Sequence, residues 1–284
     1  TLYIIFIYFY LVVDFKKLYE ISNKIRQDII KSLLSAGSGH SAGPLGMADI
    51  FTLLYFEILK INPKKPLWKD RDYLVLSNGH ICPVLYTTLA HRGYFPISEL
   101  SSLRKYGSRL QGHPHRGSLP GIETTSGPLG SGLSQACGMS LALKKDKKDN
   151  LVYCLTSDGE HGEGNYWEAV LFAAHYNLDN LIVIIDRNKI QIDGNTEDVL
   201  KLDSLSKKYL AFNWEVSQCD GHDLKLLHKE INRLKKIKGK PKVIIALTTP
   251  GKGVSFMEND YTWHGKPPKL EEAKLALKEL GGKL

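Results

Sequence analysis

The chain has 284 residues, of which 43% are hydrophobic and 24% are charged, and its formal net charge is +8 at pH 7. The length suits one large α/β domain, and the apolar content is enough for a sizeable core. Much of the excess positive charge lies in the segments 144–148 and 233–242, each at the end of a helical pattern. Because no aromatic residues interleave with these lysines, we expect solvated helix ends rather than a nucleic-acid site.

Hydrophobic periodicity predicts helices that alternate with buried strands along most of the chain. The first helix covers residues 14–36 and ends at Gly37, a suitable C-cap. Residues 97–130 are rich in glycine and proline, and a loop of that length inside a compact domain is usually functional. The other predicted elements are helices at 45–59, 132–143 and 269–280 and strands at 73–76, 151–155, 181–185 and 243–247. This alternation predicts an α/β fold with a doubly wound, mainly parallel sheet flanked by helices.

The amino-terminal segment, residues 1–13, is almost wholly apolar and aromatic. It is too short to span a bilayer, and it lacks the basic start and small-residue cleavage site of a signal peptide. We therefore expect an upstream extension followed by one domain at 14–284, with a membrane anchor as the alternative. The four cysteines show no metal-binding or redox spacing, so we expect reduced thiols in a cytoplasmic protein. They are Cys82, Cys137, Cys154 and Cys219.

The segment 157–188 is the most informative part of the chain. An apolar strand leads to Asp158-Gly159, a helical stretch follows, and the apolar strand 181–185 leads to Asn188. Open α/β sheets bind their ligands at the carboxyl ends of parallel strands. A carboxylate and an amide oxygen are hard donors suited to Mg²⁺ or Ca²⁺, while the glycine and the following helix start suit a phosphate. The order predicts a diphosphate bridged to the protein by a metal ion; the alternative is a turn with a solvent-exposed aspartate cap.

Asn188 lies 30 residues beyond Asp158, and this order resembles the thiamine diphosphate signature, Gly-Asp-Gly followed by Asn, with Ser157 in place of the first glycine. Four further blocks are similar to the amino-terminal half of transketolase, in unbroken order. They are segments 39–46, 76–80, 111–130 and 263–268, and each contains a histidine. The sequences of segments 186–188, 252–259 and 263–265 most resemble those of split transketolases, in which two polypeptides replace the usual single chain.

The resemblance implies a site for thiamine diphosphate and a divalent cation, Mg²⁺ or alternatively Ca²⁺ or Mn²⁺. The implied metal ligands are Asp158, Asn188 and the backbone carbonyl of Ile190. The implied cofactor contacts are the Gly159 N–H to the diphosphate, His80 and His264 to phosphate oxygens, Gly127, Pro128 and Leu129 to the aminopyrimidine, and Ile192 to the thiazolium ring.

The resemblance also places His40, His113 and His264 around the sugar carbonyl and hydroxyls, where histidine suits proton transfer near neutral pH. The other histidines gain no such support, and for His161, beside the metal turn, we expect a structural role. Two carboxylates that follow the turn, Glu163 and Glu168, have two interpretations. They either favour the helix dipole or, by resemblance, lie at a dimer interface beside the cofactor and link two active sites.

We therefore expect the amino-terminal subunit of a split transketolase, which moves a two-carbon ketol unit from a ketose phosphate to an aldose phosphate. The alternatives are another thiamine diphosphate enzyme, similar to 1-deoxyxylulose-5-phosphate synthase, and a non-catalytic scaffold half. In the family an activating glutamate comes from the pyrimidine-binding domain, and no second βαβ pattern follows residue 250. We expect that domain on a C-terminal partner subunit, within an α₂β₂-like assembly. Neither nucleic acid nor a membrane is an expected partner.

Overall fold

The computed structural model describes residues 13–284. The apolar segment predicted as an extension, residues 1–13, therefore lies outside the described residues except for Val13. Within the described range, none of the helices combines the length and the apolar character needed to cross a lipid bilayer.

The described residues form nine α-helices joined by loops and short turns. They are α1 (Phe15–Ala36), α2 (Ala42–Leu53), α3 (Cys82–Arg92), α4 (Ser131–Lys145), α5 (Gly164–His175), α6 (Thr196–Val199), α7 (Leu205–Ala211), α8 (Leu224–Lys235) and α9 (Leu270–Glu279). The predicted first helix is confirmed. The Asp14 carboxylate caps its start by accepting from the Lys17 N–H at 3.0 Å, and Gly37, at φ 63°, donates its N–H to the Leu33 carbonyl.

The second helix differs from its predicted bounds of 45–59. It begins at Ala42 and is followed by a π-helical turn from Leu54 to Ile58. Every residue of α2 is buried, including Gly43 and Pro44. Because a helix that is covered on all sides has no polar face, hydrophobic periodicity does not mark where it starts.

The strands are β1 (Tyr73–Leu76), β2 (Val152–Ser157), β3 (Leu181–Arg187), β4 (Ile190–Gln191), β5 (Gly194–Asn195), β6 (Glu215–Asp220) and β7 (Lys242–Leu247). Five of them form a parallel sheet in the order β1-β2-β3-β7-β6, and β4 pairs with β5 in a small antiparallel ribbon. The predicted parallel α/β fold is confirmed.

Alternate residues of the central strands contribute to two separate cores. Ile182 and Ile184 of β3 pack in a cluster with α1, α2, α3, α8 and α9. Val183 and Ile185 pack in a second cluster with α4, α5 and α7. Because successive side chains of a strand point to opposite faces, this division shows that helices cover both faces of the sheet.

The lysine-rich segment before β7 departs from the prediction of solvated lysines. Lys242 is fully buried, and its ammonium group donates to the backbone carbonyl of Asp179. The residue opens β7 and lies opposite Ile182 on one neighbouring strand and Glu215 on the other, so the sheet covers it from both sides. Burial lowers the pKa of the Lys242 amine to about 8.

The parallel arrangement brings the predicted site loops to one edge of the sheet. β1 leads to His80, β2 to Asp158 and β3 to Asn188, and the loop after β7 continues to His264. Since these four strands run in the same direction, their carboxyl ends meet at one edge, which is where open α/β sheets bind ligands.

Candidate functional site

A cavity of about 550 Å³ opens at the carboxyl edge of the sheet. Its size is in the range of cofactor pockets. Most of the residues predicted for the site line it: His40, His80, His113, Gly127, Leu129, Gly159, Glu163, Asn188, Ile190, Ile192 and His264. Two predicted residues do not contribute to its wall. Asp158 is fully buried between the lining residues Ser157 and Gly159, and Pro128 is exposed.

Histidine rings pack against one another in the cavity. The ring centroids of His40 and His80 are 4.9 Å apart, those of His80 and His264 are 5.2 Å apart, and those of His40 and His264 are 5.5 Å apart. The Nδ1 atoms of His40 and His264 are buried and bond to no group in the described part of the chain. His113 lies close to Gly127, where an added Cβ would be 3.7 Å from the imidazole. The structure thus brings the four histidine blocks together.

Burial lowers the pKa of all four imidazoles. The pKa of His40 falls to about 4, first because of burial and then because of the nearby His264 and Arg104. The rings are therefore neutral at neutral pH, and each presents one N–H donor and one acceptor nitrogen. Such groups can bind phosphate or hydroxyl oxygens and can transfer a proton.

The carboxylate of Asp158 is buried behind the cavity. Its Oδ2 atom accepts from the Arg187 guanidinium at 2.9 Å and from the Lys189 N–H at 2.7 Å. Its Oδ1 atom has no hydrogen-bond partner within residues 13–284. The alternative of a solvent-exposed aspartate cap is therefore wrong, because the side chain is fully enclosed.

A second buried carboxylate, Asp186, lies on β3 opposite Ser157. It accepts from the Thr248 hydroxyl at 2.5 Å and from the Asn188 amide at 2.8 Å. Burial raises the pKa of Asp158 to about 6, against the lowering effect of Arg187, and it raises the pKa of Asp186 to about 7. The negative charge at this edge is only partly compensated, so a cation bound here would stabilise it.

The oxygen atoms around Asp158 fit a hard divalent cation. The Asn188 amide oxygen faces the same edge, although it accepts from the Ile190 N–H at 3.0 Å. Among the described residues, no group of three or more His, Cys, Asp or Glu side chains is arranged to hold a metal ion. A cation at Asp158 would therefore depend on one carboxylate with amide and carbonyl oxygens, a donor set that suits Mg²⁺ better than zinc.

The turn after Asp158 differs from the predicted strand-turn-helix order. Residues Gly159–Gly162 form a 3-10 turn, and α5 starts only at Gly164. An added Cβ at Gly159 would have its nearest neighbour, a Gln191 side-chain atom, at 3.7 Å, so a small side chain would make only ordinary van der Waals contact here. Glu163 is the N-cap residue of α5 but makes no capping hydrogen bond with its side chain, and it lies at the cavity wall.

Ser157, which replaces the first glycine of the signature, is the last residue of β2. Its backbone has ordinary strand conformation, and its N–H donates to the Glu160 carboxylate at 2.9 Å. The conformational freedom of glycine is therefore not needed at this position, and the turn accommodates serine.

The expected structural role of His161 agrees with its surroundings. The ring is buried, with Nδ1 at 3.1 Å from the backbone carbonyls of both Ser157 and Asp158 and Nε2 at 3.0 Å from the Tyr209 hydroxyl. Burial lowers its pKa to about 3. The neutral ring with its proton on Nδ1 therefore supports the turn that carries Asp158.

Sequence reasoning did not find several other groups at the site. Arg187, the cation bonded to Asp158, was visible only as the middle residue of an Asp-Arg-Asn triplet. Glu160, fully buried under the turn, gave no signal of its own. The apolar part of the wall beyond β4 and β5 was also missed, because it combines short segments without periodicity: Val199, Leu200 and Leu202.

A parallel α/β domain with a histidine-lined cavity at the carboxyl edge of its sheet defines a cofactor-binding class of protein. Residues 18–283 match the family described as transketolase, thiamine diphosphate binding domain. The chain belongs to this family.

Similar proteins of comparable length are transketolase subunits. The chain is 43% identical over 257 residues to one subunit of the apulose-4-phosphate transketolase of Actinobacillus succinogenes, a match that covers 90% of this chain and 92% of that protein. It is 40% identical over 259 residues to the 6-deoxy-6-sulfo-D-fructose transketolase subunit SqwG of Clostridium sp. strain MSTE9, covering 91% of this chain and 94% of that protein.

Solved structures of longer transketolases contain the same fold. The transketolase from Leishmania mexicana superimposes with a TM-score of 0.88 at 35% identity, over 94% of this chain and 41% of that chain. The transketolase from Campylobacter jejuni gives a TM-score of 0.87 at 34% identity, over 94% of this chain and 43% of that chain. The chain thus spans less than half of these two enzymes and nearly all of the two subunits.

Proposed function

We propose that this chain is the cofactor-holding subunit of a split transketolase that transfers a two-carbon ketol unit from a ketose phosphate to an aldose phosphate. The proposal rests mainly on the Oδ1 atom of Asp158, which has no hydrogen-bond partner among the described residues and lies beside a cavity lined by four neutral histidines. Family membership and the similarity to proteins named as transketolase subunits support it. Thiamine diphosphate, when bound, supplies a carbanion and holds the electrons released by C–C cleavage.

Asp158 and Asn188 would hold Mg²⁺, or alternatively Ca²⁺ or Mn²⁺, together with the backbone carbonyl of Ile190. The two raised carboxyl pKa values at this edge support a cation there, because its charge would stabilise both ionised forms. The Gly159 N–H would donate to the diphosphate, and the ring N–H groups of His80 and His264 would donate to other phosphate oxygens.

The organic part of the cofactor would lie along the apolar portion of the wall. Leu129 is 38% exposed and Ile192 is 67% exposed, although both side chains face the cavity. Apolar side chains exposed in a cavity favour a ring system that covers them. We assign the aminopyrimidine to Gly127, Pro128 and Leu129 and the thiazolium ring to Ile192.

Three imidazoles, including that of His264, would act on the sugar. His40, His113 and His264 would surround the donor carbonyl and hydroxyls, where a neutral ring can accept a hydroxyl proton and later return it. Burial keeps these rings neutral, which supports a role as proton acceptor at neutral pH. Glu163, on the same wall, would lie beside the cofactor and face the partner subunit.

The activating glutamate and the donor-phosphate site would come from a C-terminal partner subunit in an α₂β₂ assembly. An apolar patch on α5 supports an interface next to Glu163 and Glu168: Leu171 is 59% exposed and Phe172 is 37% exposed. Contiguous apolar surface that is exposed to solvent marks interaction sites. All four cysteines are free and buried, which is consistent with the proposed cytoplasmic location.

Calorimetric titration tests the cofactor assignment. Thiamine diphosphate should bind the chain, mixed with its candidate partner, only when Mg²⁺ is present, and replacing Asp158 should abolish this Mg²⁺-dependent binding. A donor screen then tests the reaction: release of an aldose phosphate from a ketose phosphate, with a second aldose phosphate as acceptor, supports ketol transfer. Binding without any turnover on such donors would favour the scaffold alternative, and turnover on other donors only would favour a different thiamine diphosphate enzyme.

A further inference from the structure

Glu160 is a fully buried carboxylate to which the mechanism above assigns no role. In the part of the chain that the structure describes, no lysine, arginine or histidine forms an ion pair with it. An ionisable group buried without a counter-charge is costly unless several hydrogen bonds compensate it. The hydrogen bonds of this side chain must therefore compensate the cost of burying it.

Three separate chain segments donate hydrogen bonds to the carboxylate. Its Oε1 atom accepts from the Ser77 hydroxyl at 2.5 Å and from the Gly130 N–H at 2.9 Å. Its Oε2 atom accepts from the Ser157 N–H at 2.9 Å. The bonded groups lie 83, 30 and 3 residues away along the chain, so one side chain joins segments that local sequence does not hold together.

Each of these segments carries a group that lines the cavity or adjoins it. Ser77 follows β1 and opens the loop to His80, Gly130 is the N-cap of α4 directly after the segment 127–129, and Ser157 precedes Asp158. The contact between two of the segments is close: an added Cβ at Gly132 would lie 2.5 Å from Ser77. Because Glu160 accepts hydrogen bonds from all three segments, its displacement would move three parts of the site relative to one another.

We propose that Glu160 is a positioning residue that holds the loops of His80, Leu129 and Asp158 in the relative geometry that the cofactor requires. The inference rests on the proposed function for the identity of the cofactor, whereas the hydrogen bonds from Ser77, Gly130 and Ser157 to Glu160 do not depend on it. A carboxylate suits this task because both of its oxygens only accept, and all of the groups around it donate. Glutamine has the same shape, but it would turn an NH₂ group toward one of the donors.

The test compares Glu160→Gln with the matched variant Glu20→Gln, a substitution of an exposed glutamate on the outer side of α1. Amide hydrogen exchange is measured by NMR or mass spectrometry on the full chain. Exchange should accelerate at least tenfold in Glu160→Gln at Gly130 or at Ser157, whichever N–H the NH₂ group faces, and stay unchanged in Glu20→Gln, while the core amides of β3 keep their protection. If Glu160→Gln does not fold, Ser77→Ala removes a single bond and should accelerate exchange at Gly130 in the same direction.

Cofactor affinity supplies the second measurement, with thiamine diphosphate and Mg²⁺ as the probe and the candidate partner present. A substitution that disturbs the support of metal-site groups typically weakens binding about 10–100-fold, and we expect this for Glu160→Gln without a matching fall in melting temperature. Wild-type exchange rates at Gly130 and Ser157, or undiminished affinity, would overturn the inference. If the unmodified chain binds no cofactor, the proposed function fails, and the exchange rates alone decide whether Glu160 positions the loops.

Discussion

Arg187 donates a hydrogen bond of 2.9 Å to the Oδ2 atom of Asp158 and leaves the Oδ1 atom of the same carboxylate without a partner among residues 13–284. The guanidinium also bonds to the Thr196 hydroxyl at 2.9 Å and to Glu197 at 2.5 Å. It therefore connects the end of β2 to the start of α6. A carboxylate that is fixed through one oxygen keeps its other oxygen available for a cation.

Replacing Arg187 by methionine should strongly destabilise the protein. The substitution removes the cation of a buried ion pair and leaves Asp158 enclosed without it, which typically costs about 3–5 kcal/mol. Urea denaturation measures the loss. Arg233→Met is the matched control, because Arg233 also forms ion pairs with two carboxylates but its side chain is 42% exposed. It should cost less than about 1 kcal/mol, and similar losses in the two variants would contradict the buried-pair argument.

The Asp158→Asn variant should lose metal-dependent cofactor binding, because it removes the only carboxylate among the proposed ligands. Asn188→Ala should have the same effect to a smaller degree. Alanine at this position would leave the buried Arg187 guanidinium without its partner, so asparagine is the better substitution. Calorimetry with thiamine diphosphate and Mg²⁺ gives the affinity. Unchanged affinity in a folded Asp158→Asn variant would exclude Asp158 as a ligand.

His264→Ala and His113→Ala should lower turnover more than they weaken cofactor binding. Removal of one positioned proton-transfer group typically costs about 10²–10⁴ in rate. Steady-state kinetics of the assembled enzyme would show the effect, with the exposed His115→Ala as the control. His161 cannot serve as a silent control, because its ring is buried and bonds to the turn of Asp158. Wild-type rates in His113→Ala would remove that residue from the catalytic set.

The protein should become less stable in acid in part because of His40. Its pKa is about 4 in the folded state against an ordinary value of 6.5, so the unfolded chain takes up a proton that the folded chain refuses. The stability contribution is present above pH 6.5 and is lost as the pH falls toward 4. Between pH 7 and pH 5 the wild type should lose about 2 kcal/mol more than His40→Gln. The raised pKa values of Asp158 and Asp186 make the folded state more stable as the pH falls, but this effect is common to the wild type and His40→Gln and cancels in the difference. Parallel curves of unfolding free energy against pH for the two proteins would contradict the prediction.

The parallel fold and the positions of Asp158 and Asn188 at one edge of the sheet could be predicted because they depend on short-range patterns, whereas the site histidines were expected from the family resemblance. The ends of β2 and β3 are marked by apolar runs, and the residues just beyond them are Asp158 and Asn188. β6 was not predicted, because it lies at the sheet edge and several of its residues are exposed. The burial of Lys242 and the contacts of Glu160 depend on segments far apart in sequence, so no local pattern indicates them.

Ketol transfer should need this chain together with a partner polypeptide that supplies the activating glutamate. The most direct measurement is the rate of ketol transfer between sugar phosphates by the rigorously purified chain, alone and mixed with a chain that carries the pyrimidine-binding domain, with thiamine diphosphate and Mg²⁺ present throughout. We predict transfer by the mixture and none by this chain alone, even at high concentration. Robust ketol transfer by the isolated chain would contradict the need for a partner polypeptide.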